Sequence, residues 1–125
     1  MDSLTFEETK YTPRILLDAE NGIIEMVGKS YPENTFEFYQ PVIDWMKEYF
    51  ETSAKEITKI NIEIIYFNSS SSKLFFDFFD LLEDVHEDHK LEINWIYDEE
   101  NESAEEAGED FIEDFENLKI NLVSK

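Results

Sequence analysis

Apolar and polar residues follow two rhythms along this chain, and the switches between them mark out its elements. Two short apolar runs, 14–18 (RILLD) and 23–27 (IIEMV), flank Glu20-Asn21-Gly22. Asn-Gly between such runs is a strong local signal for a β-hairpin. The polar residues 1–12 predict a frayed or edge-like lead-in, and residues 28–33 predict a loop after the hairpin. Asn34 with Glu37 three residues on reads as a capping box that opens a helix. At ~100° per residue, Phe36, Tyr39, Val42, Ile43, Met46, Tyr49 and Phe50 share one face of that helix. Pro41 within it predicts either a start near Pro41 or a kink there, because proline lacks the N–H an interior position needs.

Residues 57–67 (ITKINIEIIYF) alternate at first and end as a continuous apolar run, the pattern of a strand buried on both faces. Asn68-Ser69-Ser70-Ser71-Ser72 stops it, and a second helix is predicted over 71–86. Leu91, Ile93, Trp95 and Tyr97 alternate as another strand. Ser103 with Glu106 spells a second capping box before a third helix to about residue 115, and Ile120 and Leu122 suggest a last short strand. The order is a β-hairpin followed by αβαβαβ, with no internal repeat or linker. Strands separated by helices favour parallel pairing through right-handed crossovers, so the fold class is a small α/β sandwich with a mostly parallel sheet. In such sheets function collects beyond the carboxyl ends of the strands. That directs attention to the loops 68–72 and 98–101.

Composition narrows the function classes. The 125 residues suit one domain, and 42% hydrophobic residues with three Gly and three Pro are enough for a real core. The 31 acids against 10 Lys plus Arg leave a net charge of −21. That excess argues against nucleic acid or an anionic membrane as partner, since both bind cationic footprints. Zero cysteines exclude disulfides, thiol nucleophiles and thiolate metal sites. No apolar run reaches the roughly 18 residues of a membrane span, and the acidic N-terminus does not read as a signal peptide, so a soluble cytoplasmic protein is expected.

Few residues point to chemistry. The serine block stands where a strand hands over to a helix, and free backbone N–H groups with the positive end of the helix dipole favour an anion there. A phosphate on one of these serines would be stabilised in place and would add ~1.5 to 2 negative charges to the surface. Asn and Ser are equally the preferred N-caps, so capping alone also accounts for them. On the second helix Leu74, Phe78, Leu81, Leu82 and Val85 project together, with Phe75 and Phe79 at one edge, and Asp77, Asp80, Glu83, Asp84 and Glu87 form the solvent face. Phe76 projects into that acidic face between Glu83 and Glu87, which fits an interface anchor or a lone surface aromatic. His86 and His89 lack a third placed ligand, so no metal or cofactor is expected. The acidic block 98–116 lacks the alternating ligands and central Gly of an EF-hand. Its Ala104, Ala107, Phe111 and Phe115 read as the core stripe of a helix. No GxSxG, P-loop or GxGxxG occurs, and no carboxylate pair stands out as acid and base, so nothing argues for an enzyme.

Taken together, several segments resemble one family. Thr12-Pro13, Gly28-Lys29-Ser30-Tyr31-Pro32-Glu33-Asn34 and Pro41-Val42-Ile43-Asp44-Trp45 are similar to the first half of the SiaC family of bacterial biofilm-regulation phosphoproteins. Tyr66-Phe67-Asn68-Ser69-Ser70-Ser71-Ser72-Lys73, Asp80-Leu81-Leu82-Glu83 and Trp95-Ile96-Tyr97-Asp98 with Asn101-Glu102 continue the resemblance, which spans residues 12–114. It implies a fold similar to STAS-type anti-sigma-factor antagonists and a partner-switching protein without catalysis of its own. By the same resemblance, a histidine-kinase-like Ser/Thr kinase adds a phosphate, a PP2C-type phosphatase removes it, and the unmodified form binds and activates a diguanylate cyclase in cyclic-di-GMP signalling. The acceptor position falls on Ser69, with Ser70 and Ser71 as alternates, although Thr can stand there in the family. Asn68 would position the acceptor. Tyr31, Pro32, Glu33, Asn34, Ser70, Ser71, Lys73, Phe76, Asp98 and Asn101 complete the expected partner-binding surface. The competing expectation is an acidic interaction module that binds constitutively and is never phosphorylated.

Overall fold

The computed structural model describes residues 1–125. Six strands, β1 (Leu4–Phe6), β2 (Arg14–Asp18), β3 (Ile23–Ser30), β4 (Ile57–Phe67), β5 (Lys90–Tyr97) and β6 (Ile120–Ser124), form one sheet in chain order. The first two pairings are antiparallel and the last three parallel. Helices α1 (Thr35–Glu48), α2 (Ser69–Val85) and α3 (Glu102–Asp114) make the three parallel crossovers, and a single π turn, Tyr49–Ser53, follows α1. Right-handed crossovers that always step the same way along the sheet put every helix on one face. Burial agrees: Ile24, Met26, Thr58, Ile60, Ile62, Ile64, Ile93 and Trp95, alternate residues that the strand register sets side by side, are buried under the helices. The apolar ones among them join the helix residues in one core of 25 side chains. The mixed α/β sandwich expected from the pattern is the fold.

The hairpin forms as its Asn-Gly predicts, with Arg14 opposite Val27 and Asp18 opposite Ile23. The Asp18 carboxylate accepts the backbone N–H groups of Glu20 and Asn21 at 3.0 and 3.1 Å and the Asn21 side-chain amide at 2.8 Å. These bonds, the Asn21 side chain foremost, hold its carboxyl below the usual carboxylate range. Gly22 sits in the left-handed region at φ 68°, which glycine adopts without steric cost. Part of the polar lead-in is an edge strand, β1, paired with β2.

Several expectations are corrected. The loop over 28–33 is shorter, because β3 continues through Gly28, Lys29 and Ser30. A bulge explains the difference: Gly28 pairs with Ile64 but Lys29 pairs with Tyr66, so Ile65 is the extra residue on β4. β4 is not buried on both faces either. Only one face carries helices, and Ile65 and Tyr66 are 52% and 54% exposed. Helix α1 starts at Thr35 and runs through Pro41, which is exposed. Phe36 is 72% exposed instead of core, while Trp45, outside the predicted stripe, is buried. In α2, Phe75 and Phe79 lie at the centre of the core, fully buried. The cap of α3 is Asn101, whose side chain accepts the Ala104 N–H at 3.1 Å, and not Ser103.

The face without helices is built largely from polar groups. Asn61, Asn94 and Asn121 stand side by side on β4, β5 and β6. The Asn94 amide donates to Asn61 at 2.9 Å, and the Asn121 amide donates to Asn94 at 3.1 Å. Two ion pairs reinforce the sheet: Arg14–Glu25 joins the neighbouring β2 and β3, and Lys125–Glu63 reaches from the end of β6 across β5 to β4.

Beneath α3 the packing is tight. A Cβ added at Gly108 would lie 2.5 Å from Trp95 Cδ1 and 2.6 Å from Leu122 Cδ1. The indole cannot easily retreat, because it is fully buried and its Nε1 donates to the Ala104 carbonyl at 2.8 Å. Gly108→Ala is therefore expected to lower unfolding stability by about 1–3 kcal/mol despite alanine's better helix propensity, measured by urea denaturation.

Candidate functional site

The carboxyl end of β4 passes directly into α2 through one residue, Asn68. Its side chain accepts the Ser71 N–H at 2.9 Å, and its backbone N–H donates to the Ser30 carbonyl at 3.1 Å. The first fixes the start of the helix and the second ties that start to the neighbouring strand. Ser69 and Ser70, the first two residues of α2, are exposed. Their backbone N–H groups belong to the first turn, where a helix supplies no carbonyl partner.

Ser71 is different. Its side chain is fully buried, and its hydroxyl lies 2.8 Å from that of Ser30, which lies 2.6 Å from the Tyr39 hydroxyl. The three hydroxyls link α2, β3 and α1 in one buried chain of hydrogen bonds. Burial pushes the Tyr39 phenol up to about 12, with its bond to Ser30 pulling the other way. Ser71 as an alternate acceptor and Ser70–Ser71 as a contact pair are corrected accordingly: only Ser70 of that pair faces solvent. Pro32 is also buried and presents no side chain to a partner, whereas Glu33 and Asn34 are exposed. Asn34 caps α1 as predicted, accepting the Glu37 N–H at 3.1 Å.

Around the acceptor candidates lie aromatic rings. Tyr31 meets Tyr11 edge-on at 5.3 Å and Tyr66 at 5.5 Å, and Tyr11 and Tyr66 are each about half exposed. The sequence reading named Tyr31 but missed the other two. Tyr66 could not be placed outward by alternation alone, because the bulge at Ile65 changes which side it faces. On the other flank, Ser69, Ser72, Lys73 and Phe76 border a groove of about 630 Å³ whose far wall is α3. Phe76 is 45% exposed and rests on Phe115 at 4.8 Å, and so is not isolated among Glu83 and Glu87.

Asp98 and Asn101 belong to a neighbouring cavity of about 540 Å³ that also contains Glu63, Ile65 and Lys125. Asn101 donates from its side chain to the Ile65 carbonyl at 3.0 Å, the carbonyl of the bulge residue. Burial and a hydrogen bond to Glu105 raise the Tyr97 phenol above its ordinary value. His86 and His89 lie beyond α2, the first bonded to the Glu83 carbonyl at 2.5 Å and the second against Phe50 at 5.3 Å. No third ligating side chain joins them. No helix is long and apolar enough to cross a membrane.

Comparison with known proteins is consistent along the whole chain. The family model described as SiaC family regulatory phosphoprotein matches residues 6–125. An uncharacterized protein of Pseudomonas aeruginosa strain UCBPP-PA14 is 36% identical over 115 residues, covering 91% of this chain and 90% of its own. Among solved structures, SiaC of Pseudomonas aeruginosa is similar with a TM-score of 0.86 and 30% identity, each chain covered in full. A chain from the crystal structure of the diguanylate cyclase SiaD in complex with its activator SiaC, also from Pseudomonas aeruginosa, gives 0.89 and 32% over 98% of this chain and 99% of that one.

Two outcomes follow from the hydroxyl chain. Ser30→Ala leaves the buried Ser71 and Tyr39 hydroxyls short of a partner and is expected to cost about 1–3 kcal/mol in chemical denaturation. The Tyr39 phenol makes its contribution in full below pH 10, where both states are protonated. Above that, the unfolded chain releases a proton that the folded state keeps until about pH 12. Stability is thus expected to fall across that window by about 2–3 kcal/mol, and Tyr39→Phe should remove this part of the slope in a pH series of unfolding curves.

Proposed function

Because this chain belongs to the SiaC family of regulatory phosphoproteins, and is a regulator and not an enzyme, we propose that it is a cytoplasmic partner switch controlled by reversible phosphorylation of Ser69. A histidine-kinase-like Ser/Thr kinase adds the phosphate, and a PP2C-type phosphatase removes it. The unmodified form binds and activates a diguanylate cyclase. The cyclase is proposed by analogy with SiaC of Pseudomonas aeruginosa, the activator crystallised with SiaD.

The observation that carries this reading is the division of labour at the start of α2. Asn68 supplies the cap, Ser71 is committed to the buried hydroxyl chain, and Ser69 is left exposed at the first helical position. A phosphate there meets unpaired N–H groups and the positive end of the helix dipole, so modification need not unfold the helix. It also adds about 1.5 to 2 negative charges beside Lys73, Phe76 and the tyrosines, on a chain that already carries −21. An effector that packs against this surface then faces a hydrated charge in place of a hydroxyl. Ser70 is the second choice of acceptor, equally exposed but one residue further into the helix.

Phosphosite mass spectrometry on protein isolated from its native cells is expected to find phosphate on Ser69 and to lose it in Ser69→Ala. Ser69→Asp is expected to weaken binding to the cyclase about tenfold or more, roughly 1.4 kcal/mol. Absence of phosphate from residues 69–72 while kinase and phosphatase are active, together with cyclase binding indifferent to Ser69→Asp, would leave a constitutive acidic binder instead.

A further inference from the structure

We propose that the groove between α1 and α2 docks an amphipathic helix of a partner protein, apolar along one stripe and basic along the flank that meets α2. This goes beyond the Ser69 switch and does not rest on it, since Ser69 does not border this groove.

The argument begins with Phe36. Its position on α1 continues the periodicity of Tyr39, Val42 and Met46, which are buried, yet Phe36 is 72% exposed, the most exposed large apolar side chain in the protein. It opens a groove of about 460 Å³ in which Ile43 from α1 faces Leu74 and Leu81 from α2. The lining positions recur at three to four residue intervals on both helices, so the groove runs straight along them, with Phe36, Ile43, Leu74 and Leu81 as its apolar points. From Leu74 to Asp84 it extends about 15 Å, three turns of a docked helix with anchors at i, i+3/i+4 and i+7.

Charge selects the occupant. Asp77, Asp80 and Asp84 line the α2 side at the same spacing, and none takes part in an ion pair. The only cation bordering the groove is Lys47. A second copy of this chain would bring −21 against −21 across the same carboxylates, and nucleic acid or an anionic membrane would meet the same repulsion. A helix with Lys or Arg beside its apolar stripe pairs with the three aspartates as its anchors bury Phe36.

The test uses the isotope-labelled full chain and two synthetic helices of about 14 residues, long enough for nearly four turns, that share one leucine stripe. One carries lysine flanks and the other glutamate flanks. Saturable NMR shifts are expected with the lysine peptide alone, confined to amides of residues 36–47 and 74–84. Phe36→Ser, at an exposed position that the core does not need, is expected to weaken binding about tenfold or more, as loss of an aromatic anchor does. Asp80→Asn with Asp84→Asn should weaken it and flatten its salt dependence, whereas Ser69→Asp should leave it unchanged. Equal binding of the glutamate peptide, shifts centred on the α2–α3 groove or the open sheet face, or indifference to Phe36→Ser would each overturn the proposal. So would self-association of the free protein, seen by sedimentation, that moves these same amides. None of these outcomes bears on whether Ser69 is phosphorylated.

Discussion

The handedness of the crossovers governs most of what this molecule presents. With strands in sequential order, crossovers that keep the one hand such links favour have only one face of the sheet available to their helices. One face becomes the core. The other must meet water, and the strands answer with polar side chains there, most clearly the row Asn61, Asn94 and Asn121, whose amides satisfy one another across the strands. Helices laid side by side on the covered face leave grooves between them, and both grooves described above are of this kind. The carboxyl ends of the parallel strands β3 to β6 open toward the same rim, which is why the start of α2, Tyr31, Tyr66 and Asn101 gather there.

That rim is rigid where a switch needs it to be. Asn68 joins strand to helix without a loop, and the hydroxyl chain from Ser71 through Ser30 to Tyr39 fastens the helix start to the two elements beside it. The bulge at Ile65 turns its carbonyl to Asn101 and leaves Ile65 and Tyr66 facing outward. The exposed Ser69 is therefore held on a frame whose side-chain hydrogen bonds do not use its hydroxyl. In the proposed switch, a partner reads the charge at the surface and not through a rearranged core.

The sequence made the order of elements legible because each carries its own period or cap. Asn21-Gly22 gave the hairpin away, Asn34 marked α1, and the alternation of Ile93 and Trp95 fixed the buried face of β5. Errors arose where tertiary context overrides local pattern. Phe36 keeps the core period but lies beyond the reach of the sheet, at the first turn of α1. The bulge at Ile65 shifts register by one residue, which no period-two pattern can reveal. Asn101 outcompetes Ser103 as a cap because it also reaches the Ile65 carbonyl. Burial separates Ser71 from Ser69 and Ser70, although four identical residues in a row look equivalent on paper. The family resemblance pointed to the whole block, and packing separates the buried Ser71 from the exposed Ser69 and Ser70.

The scarcity of ion pairs sets how this protein responds to its medium. Two pairs serve 31 carboxylates, so most of the anionic surface repels itself and the folded state carries that strain. Dissolved salt screens such repulsion over a length of about 8–10 Å at physiological strength, and so favours the compact state. The attraction of a cationic helix for the same carboxylates is screened by the same ions. Under the proposed docking, folding and capture move in opposite directions as salt rises, so ionic strength sets a ceiling on how tightly a cationic helix can be held by a fully folded chain.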